Sequence, residues 1–141
     1  MKNNGALRYA DASCLLRLLF SEKGHRLPLT GGSVVSSAIA EVEVYRAIER
    51  ARLTGVSDDR LTSSLHQSAS RLLRALHLLP VTRDVISNAS AAFSVNVRAL
   101  DALHVATAQE LLSLGQPVEF WTHDQRQAMA AGARGLTTLG V

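Results

Sequence analysis

Four carboxylates, Asp11, Glu43, Asp101 and Asp124, occupy positions in this 141-residue chain where an acidic side chain can do more than solvate a surface. Asp11 ends a short apolar run, Ala6 to Ala10. Glu43 falls in the second turn of a helical period that follows Ser33-Val34-Val35-Ser36. Asp101 opens a run of mostly apolar residues, and Asp124 comes three residues after Val118-Glu119-Phe120-Trp121. Carboxylates gathered from such distant parts of a chain repel one another unless a divalent cation neutralises them, and hard oxygen donors suit Mg²⁺ or Mn²⁺. One or two such ions orient and deprotonate a water and stabilise the charge that develops on a phosphate during in-line attack. Taken singly, Asp101 also suits a helix macrodipole and Asp124 an N-cap. Asp101 is the hardest to explain that way, because an unpaired carboxylate at the head of an apolar helix needs a cation or a donor.

The elements that must position these acids alternate. Strands are expected at Ala6 to Ala10, Ser33 to Ser36, Leu78 to Val81, Val118 to Trp121 and Leu136 to Leu139. Pro80 places the third of them at a sheet edge or strand end. Between them, helical spacing covers Leu15 to Phe20, Ala38 to Leu53 behind Ser37 as a cap, and a segment capped by Asp58 with a stripe of Leu61, Leu65, Ala69, Leu72 and Leu76. Further helices are expected from Arg83 to Phe93, from Leu100 to Leu114 and from Asp124 to Ala131, and a loop from Gly24 to Gly32. Strands that alternate with helices pair in parallel, which predicts a three-layer α/β/α sandwich with a mostly parallel central sheet of about 4–5 strands in one domain over residues 1–141. In such sheets ligands collect beyond the carboxyl ends of the strands, where the strand order reverses. All four acids fall at strand exits or helix starts.

Composition narrows the function classes. Hydrophobic residues make up 47% and charged residues 19%, as expected of a chain that folds around one core. The polar start, and an apolar stretch interrupted by Arg8 and Asp11, predict neither a signal peptide nor a spanning helix, and a lone cysteine, Cys14, allows no internal disulfide. A cytoplasmic protein without membrane contact is expected. Of the 15 cationic residues only Lys2 and Lys23 are lysines, so arginine dominates the positive surface. Guanidinium groups grip phosphates bidentately, and a cationic surface around an acidic pocket suits an RNA backbone. Aromatics at 4% argue against a base-stacking platform.

Four stretches carry a resemblance. Tyr9-Ala10-Asp11-Ala12-Ser13, Ser36-Ser37-Ala38-Ile39-Ala40-Glu41-Val42-Glu43, Leu100-Asp101-Ala102-Leu103-His104-Val105-Ala106-Thr107-Ala108 and Trp121-Thr122-His123-Asp124 resemble, in order and spacing, the acidic motifs of PIN-domain ribonucleases. They are most similar to those of the VapC toxins of toxin–antitoxin pairs. The resemblance spans nearly the whole chain. It implies a Mg²⁺- or Mn²⁺-dependent endoribonuclease cutting tRNA or rRNA, a homodimer, and a cognate VapB-like antitoxin. Asp11, Glu43, Asp101 and Asp124 would form the catalytic and metal-binding set, with Ser13 and Thr122 as supporting hydroxyls. Glu41 competes with Glu43. The two lie about 200° apart on a helix, so only one can face the pocket, and the spacing from Ser37 matches the family at Glu43. The last motif departs from members that read Thr-x-Asn with an acid three residues on, since here Asp124 is the acid and Gln127 follows.

Other readings compete. A noncatalytic PIN-like binding module would keep the fold and a partner surface without chemistry. A phosphoryl-accepting receiver domain usually has a second acid where Ser13 stands and a late lysine, whereas the last lysine here is Lys23. The histidines His25, His66, His77, His104 and His123 lack paired zinc spacing. His104 and His123 flank motif acids, where substrate positioning competes with helix packing for His104 and solvent for His123, the preferred readings, and Cys14 is assigned to a small buried position.

Overall fold

All five expected strands form, and every pairing between them is parallel. The computed structural model describes residues 5–21 and 26–141, so Lys2, Lys23, His25 and the start of the loop expected from Gly24 lie outside the described residues. The chain runs β1 (Leu7–Ala10), α1 (Ala12–Leu19), β2 (Val34–Ser37), α2 (Ile39–Leu53), α3 (Asp59–Arg74), β3 (His77–Leu79), α4 (Arg83–Ala89), α5 (Ala99–Ser113), β4 (Val118–Trp121), α6 (Gln125–Ala133) and β5 (Thr137–Leu139). Strand order is β3-β2-β1-β4-β5. After β1 the chain builds outward on one side through β2 and β3, then returns to lay β4 and β5 on the other. The order therefore reverses between β1 and β4, and the crevice beyond their carboxyl ends is where a ligand fits. Among the described residues no helix is long and apolar enough to cross a membrane.

Side-chain alternation along the strands builds two cores. Ala10 and Val34 face one cluster with Cys14, Leu15, Val44, Ile48, Leu65 and Leu73. Their strand neighbours Tyr9 and Val35, with Val118 and Phe120, face a second cluster with Val105, Ala108 and Ala131. Because successive side chains leave a strand on opposite faces, a sheet buried on both sides is apolar at consecutive positions where both faces are covered, as at Tyr9-Ala10 and Val34-Val35. Helices α1 to α3 cover one face and α4 to α6 the other, completing the three layers.

Caps set several helix starts. Asp11, Asp58, Thr82 and Asp124 each accept from backbone N–H groups in the first turn they precede. For α1, this cap lets the helix begin straight after β1, three residues earlier than its leucines alone predict. Three expectations need correction. On α3 the buried stripe is Thr62, Leu65, Ala69 and Leu73, while Leu61 is exposed and Leu72 only half-buried. The helix is rotated so that the Thr62 hydroxyl meets Ser57 Oγ at 3.0 Å in a buried pair. Helix α4 stops at Ala89 rather than Phe93. Arg134 accounts for this, since it donates to the carbonyls of Asn88, Ala91 and Ala92 and lays its guanidinium 3.5 Å from the centre of the Phe93 ring. The third strand, β3, ends at Leu79 instead of Val81, with Pro80 just beyond an edge strand.

Candidate active site

Asp11 leaves β1 at its carboxyl end with 2% of its surface exposed. Both carboxylate oxygens are engaged. Oδ1 accepts from Ser13 Oγ at 2.5 Å and from the Cys14 N–H at 3.2 Å, and Oδ2 accepts from Thr122 Oγ1 at 2.5 Å. The same two hydroxyls also accept, Ser13 from the N–H of His123 at 3.0 Å and Thr122 from that of Asp124 at 3.1 Å. Ser13 and Thr122 thus tie the exits of β1 and β4 together through Asp11.

Glu43, Asp101 and Asp124 line one cavity of about 700 Å³ together with Ala12, whose neighbour Asp11 lies behind that wall. Helix α2 brings Glu43 to it and leaves Glu41 exposed and outside it. Asp101 sits in the first turn of α5, where no side chain caps the helix. Its carboxyl is held above the ordinary carboxylate range, first by burial and then by the charges of Asp124 and Asp11, with His104 opposing the shift. The acids therefore act on one another across the cavity. Asp124 is exposed, and its Oδ1 accepts from the N–H groups of Arg126 and Gln127. It is a helix cap and a cavity acid at once.

Three arginines, Arg46, Arg50 and Arg98, share the cavity wall with the acids, and Arg126 joins Asp101, Asp124 and Arg98 around a neighbouring depression. Among the described residues none of the four is drawn into an ion pair with a cavity acid. Nor do three His, Cys, Asp or Glu side chains stand close enough to make a ready-formed metal cage. The donor set nevertheless fits a hard cation. Mg²⁺ keeps several waters and takes only one or two carboxylates directly, so spaced acids around a wet cavity suit it better than a tight cluster.

Two histidine expectations need correction. His104 is not a mere packing residue, since its Nδ1 lies 2.7 Å from the Tyr9 hydroxyl and its Nε2 lies 2.6 Å from Glu43 Oε1. His123 is half-buried rather than in solvent, and its Nδ1 donates to the Gly140 carbonyl at 2.7 Å. The sequence held a signal for the first. His104 follows Asp101 by three residues, one turn along the same helix face, and Tyr9 lies on the strand that leads into Asp11. The arginine rim was not legible as a set, because its members come from different elements. Cys14 is fully buried as expected, and burial with the nearby Asp11 pushes its thiol far above the ordinary cysteine range.

The PIN domain family profile matches residues 8–131. The chain belongs to the PIN-domain family. Within that family it is a VapC-type member, 33% identical over 140 residues to Ribonuclease VapC46 of Mycobacterium tuberculosis, covering 93% of this chain and 95% of the relative. It is also 30% identical over 138 residues to Ribonuclease VapC47 of the same species, covering 92% and 93%. Among solved structures, VapBC2 from Rickettsia felis, bound to a DNA fragment from its promoter, aligns with a TM-score of 0.65 at 7% identity. That alignment covers 94% of this chain and 97% of the other and is a likeness of fold. The PIN fold seen here is the expected three-layer sandwich.

The β5 exit is a sensitive part of this PIN site. Gly140 has φ +100°, and a Cβ there would lie 2.6 Å from the Thr122 carbonyl oxygen and 3.4 Å from the His123 ring. Gly140→Ala is expected to cost about 2 kcal/mol, from the strained backbone and the clash with the Thr122 carbonyl just beyond β4, which urea denaturation would measure. An unchanged midpoint would show that the segment yields without loss.

Proposed function

We propose that this protein is a divalent-metal-dependent endoribonuclease, the toxin of a VapBC-type toxin–antitoxin pair, that cleaves a structured cellular RNA, tRNA or rRNA. The observation that carries this reading is the juxtaposition of Glu43, Asp101 and Asp124 in one arginine-walled cavity at the strand-order reversal, with Asp11 immediately behind. The ribonuclease names of its VapC46 and VapC47 relatives support it. A VapB-like antitoxin as partner is supported by the VapBC fold neighbour, and a homodimer by the family resemblance.

Asp11, Glu43, Asp101 and Asp124 would hold one or two Mg²⁺ or Mn²⁺ ions. When bound, such an ion supplies a water of lowered pKa and charge neutralisation at the scissile phosphate. The chain's own groups do the rest. Arg46 and Arg50, one turn apart on α2, and Arg98 at the head of α5 grip the RNA backbone and offset the repulsion between phosphates and acids. Ser13 and Thr122 donate to Asp11 from two sides and fix its orientation, and Oδ2, which accepts only from Thr122, keeps a lone pair for a cation. Asp124, held through Oδ1 by the first turn of α6, is fixed in direction.

The test is incubation of total cellular RNA with the purified, antitoxin-free protein in Mg²⁺ or Mn²⁺ and in EDTA, with the cut ends sequenced. Discrete ends that vanish in EDTA are expected. The second reading is a noncatalytic PIN-like module that binds antitoxin or RNA. No cleavage, together with no Mn²⁺ binding by calorimetry, would establish that reading instead.

A further inference from the structure

His104 is 1% exposed, and both of its ring nitrogens are engaged, with partners that lie far away in sequence. An ionised carboxylate can only accept, so the short contact with Glu43 Oε1 requires the proton to sit on Nε2. In the Nε2–H tautomer Nδ1 is an acceptor, and the Tyr9 O–H donates to it. Tyr9 is itself immobile. It is fully buried in β1, stacked on Phe120 at 5.3 Å with planes 7° apart, and meets the His104 ring edge-on at 5.8 Å. A three-member hydrogen-bonded chain therefore runs from the central sheet through α5 to the accepting carboxylate that α2 brings to the cavity.

We propose that His104 is a positioning residue for the nuclease site. Backed by Tyr9, it holds Glu43 Oε1 in one place and leaves Oε2 for a cation or bound water in the cavity. This inference rests on the nuclease reading above for its catalytic consequence, though not for its geometry. A glutamate on a helix surface samples several rotamers, and fixing it costs conformational entropy that a bound ligand would otherwise have to supply. The His104 contact meets that cost before anything binds. Partners that orient a metal-ligating side chain in this way typically change affinity or activity by about 10- to 100-fold when removed.

Two conservative variants separate this role from core packing. His104→Gln can place an amide N–H near the position of Nε2 and keep the donor to Glu43, while leaving the Tyr9 hydroxyl without its acceptor. His104→Asn reaches only the position of Nδ1, so it keeps the Tyr9 contact and loses Glu43. The expected result is a crossed pattern. His104→Gln keeps RNA cleavage and Mn²⁺ affinity by calorimetry within about threefold of the parent yet melts lower, whereas His104→Asn melts closer to the parent and loses about 10- to 100-fold in both. Nitrogen-15 NMR of the parent should place the His104 proton on Nε2. Parallel losses of stability, activity and Mn²⁺ affinity in both variants would overturn the proposal, as would an Nε2 that carries no proton. A parent that neither cuts RNA nor binds Mn²⁺ would refute the nuclease reading, and the NMR tautomer would still decide whether His104 donates to Glu43.

Discussion

Asp101→Asn is expected to reduce kcat/KM for RNA by on the order of 10³-fold or more while leaving the protein folded with an equal or higher Tm in EDTA. The two effects have one cause. Burial together with the charges of Asp124 and Asp11 makes the ionised form of Asp101 unfavourable in the folded chain. Asn keeps the shape and removes the repulsion, so the structure relaxes while the cavity loses a ligand. Such exchanges of stability for function are common where an active site gathers like charges. Added Mn²⁺ should raise the Tm of the parent through binding linkage and leave that of the variant nearly unmoved. Differential scanning calorimetry with and without Mn²⁺, beside the RNA assay, would measure both. Undiminished cleavage by the variant would place the chemistry elsewhere, and a lower Tm in EDTA would contradict the repulsion.

Asp11→Ala should lose activity to a similar extent and, in contrast, lose stability by about 3 kcal/mol. Asp11 caps α1 and accepts three hydrogen bonds, so its removal takes away the cap and leaves the Ser13 and Thr122 hydroxyls without the acceptor that joins β1 to β4. Thr122 is fully buried, and an orphaned donor there cannot turn to water. Asp11→Asn should fall between the two. Its amide oxygen can still serve the α1 N-terminus, but its NH₂ would face Thr122 Oγ1, which already accepts from the N–H of Asp124. Urea unfolding of the three proteins would rank them parent, Asn, Ala. If Asp11→Ala were as stable as Asp101→Asn, the hydroxyl bridge would carry no weight in the fold.

Much of this protein could be read locally. The alternation of apolar runs and helical periods gave five parallel strands between helices, and Asp11 and Asp124 were recognisable because each lies within three residues of a strand's end, Asp124 also in a capping place. Such features depend on neighbours a few residues away, and backbone geometry makes them visible as spacing. The rotation of α3 and the early end of α4 were not visible in this way. Each depends on a tertiary partner, the Ser57–Thr62 pair in one case and the Arg134 guanidinium in the other.

The choice between Glu41 and Glu43 shows the boundary most clearly. Helical geometry allows only one of them to face the cavity, but they flank the buried stripe of Ala40, Val44 and Ile48 on opposite sides, so burial alone favours neither. The partner at Nε2 of His104, 61 residues further along, selects Glu43. Tyr9, 95 residues before His104, then fixes the ring that selects it, and Thr122 reaches Asp11 across 111 residues. The sequence by itself determined which elements form and which acids stand at their ends, because those are matters of local period and capping. Which of those side chains meet was decided only by the order in which parallel strands pair, a long-range property that no local spacing records.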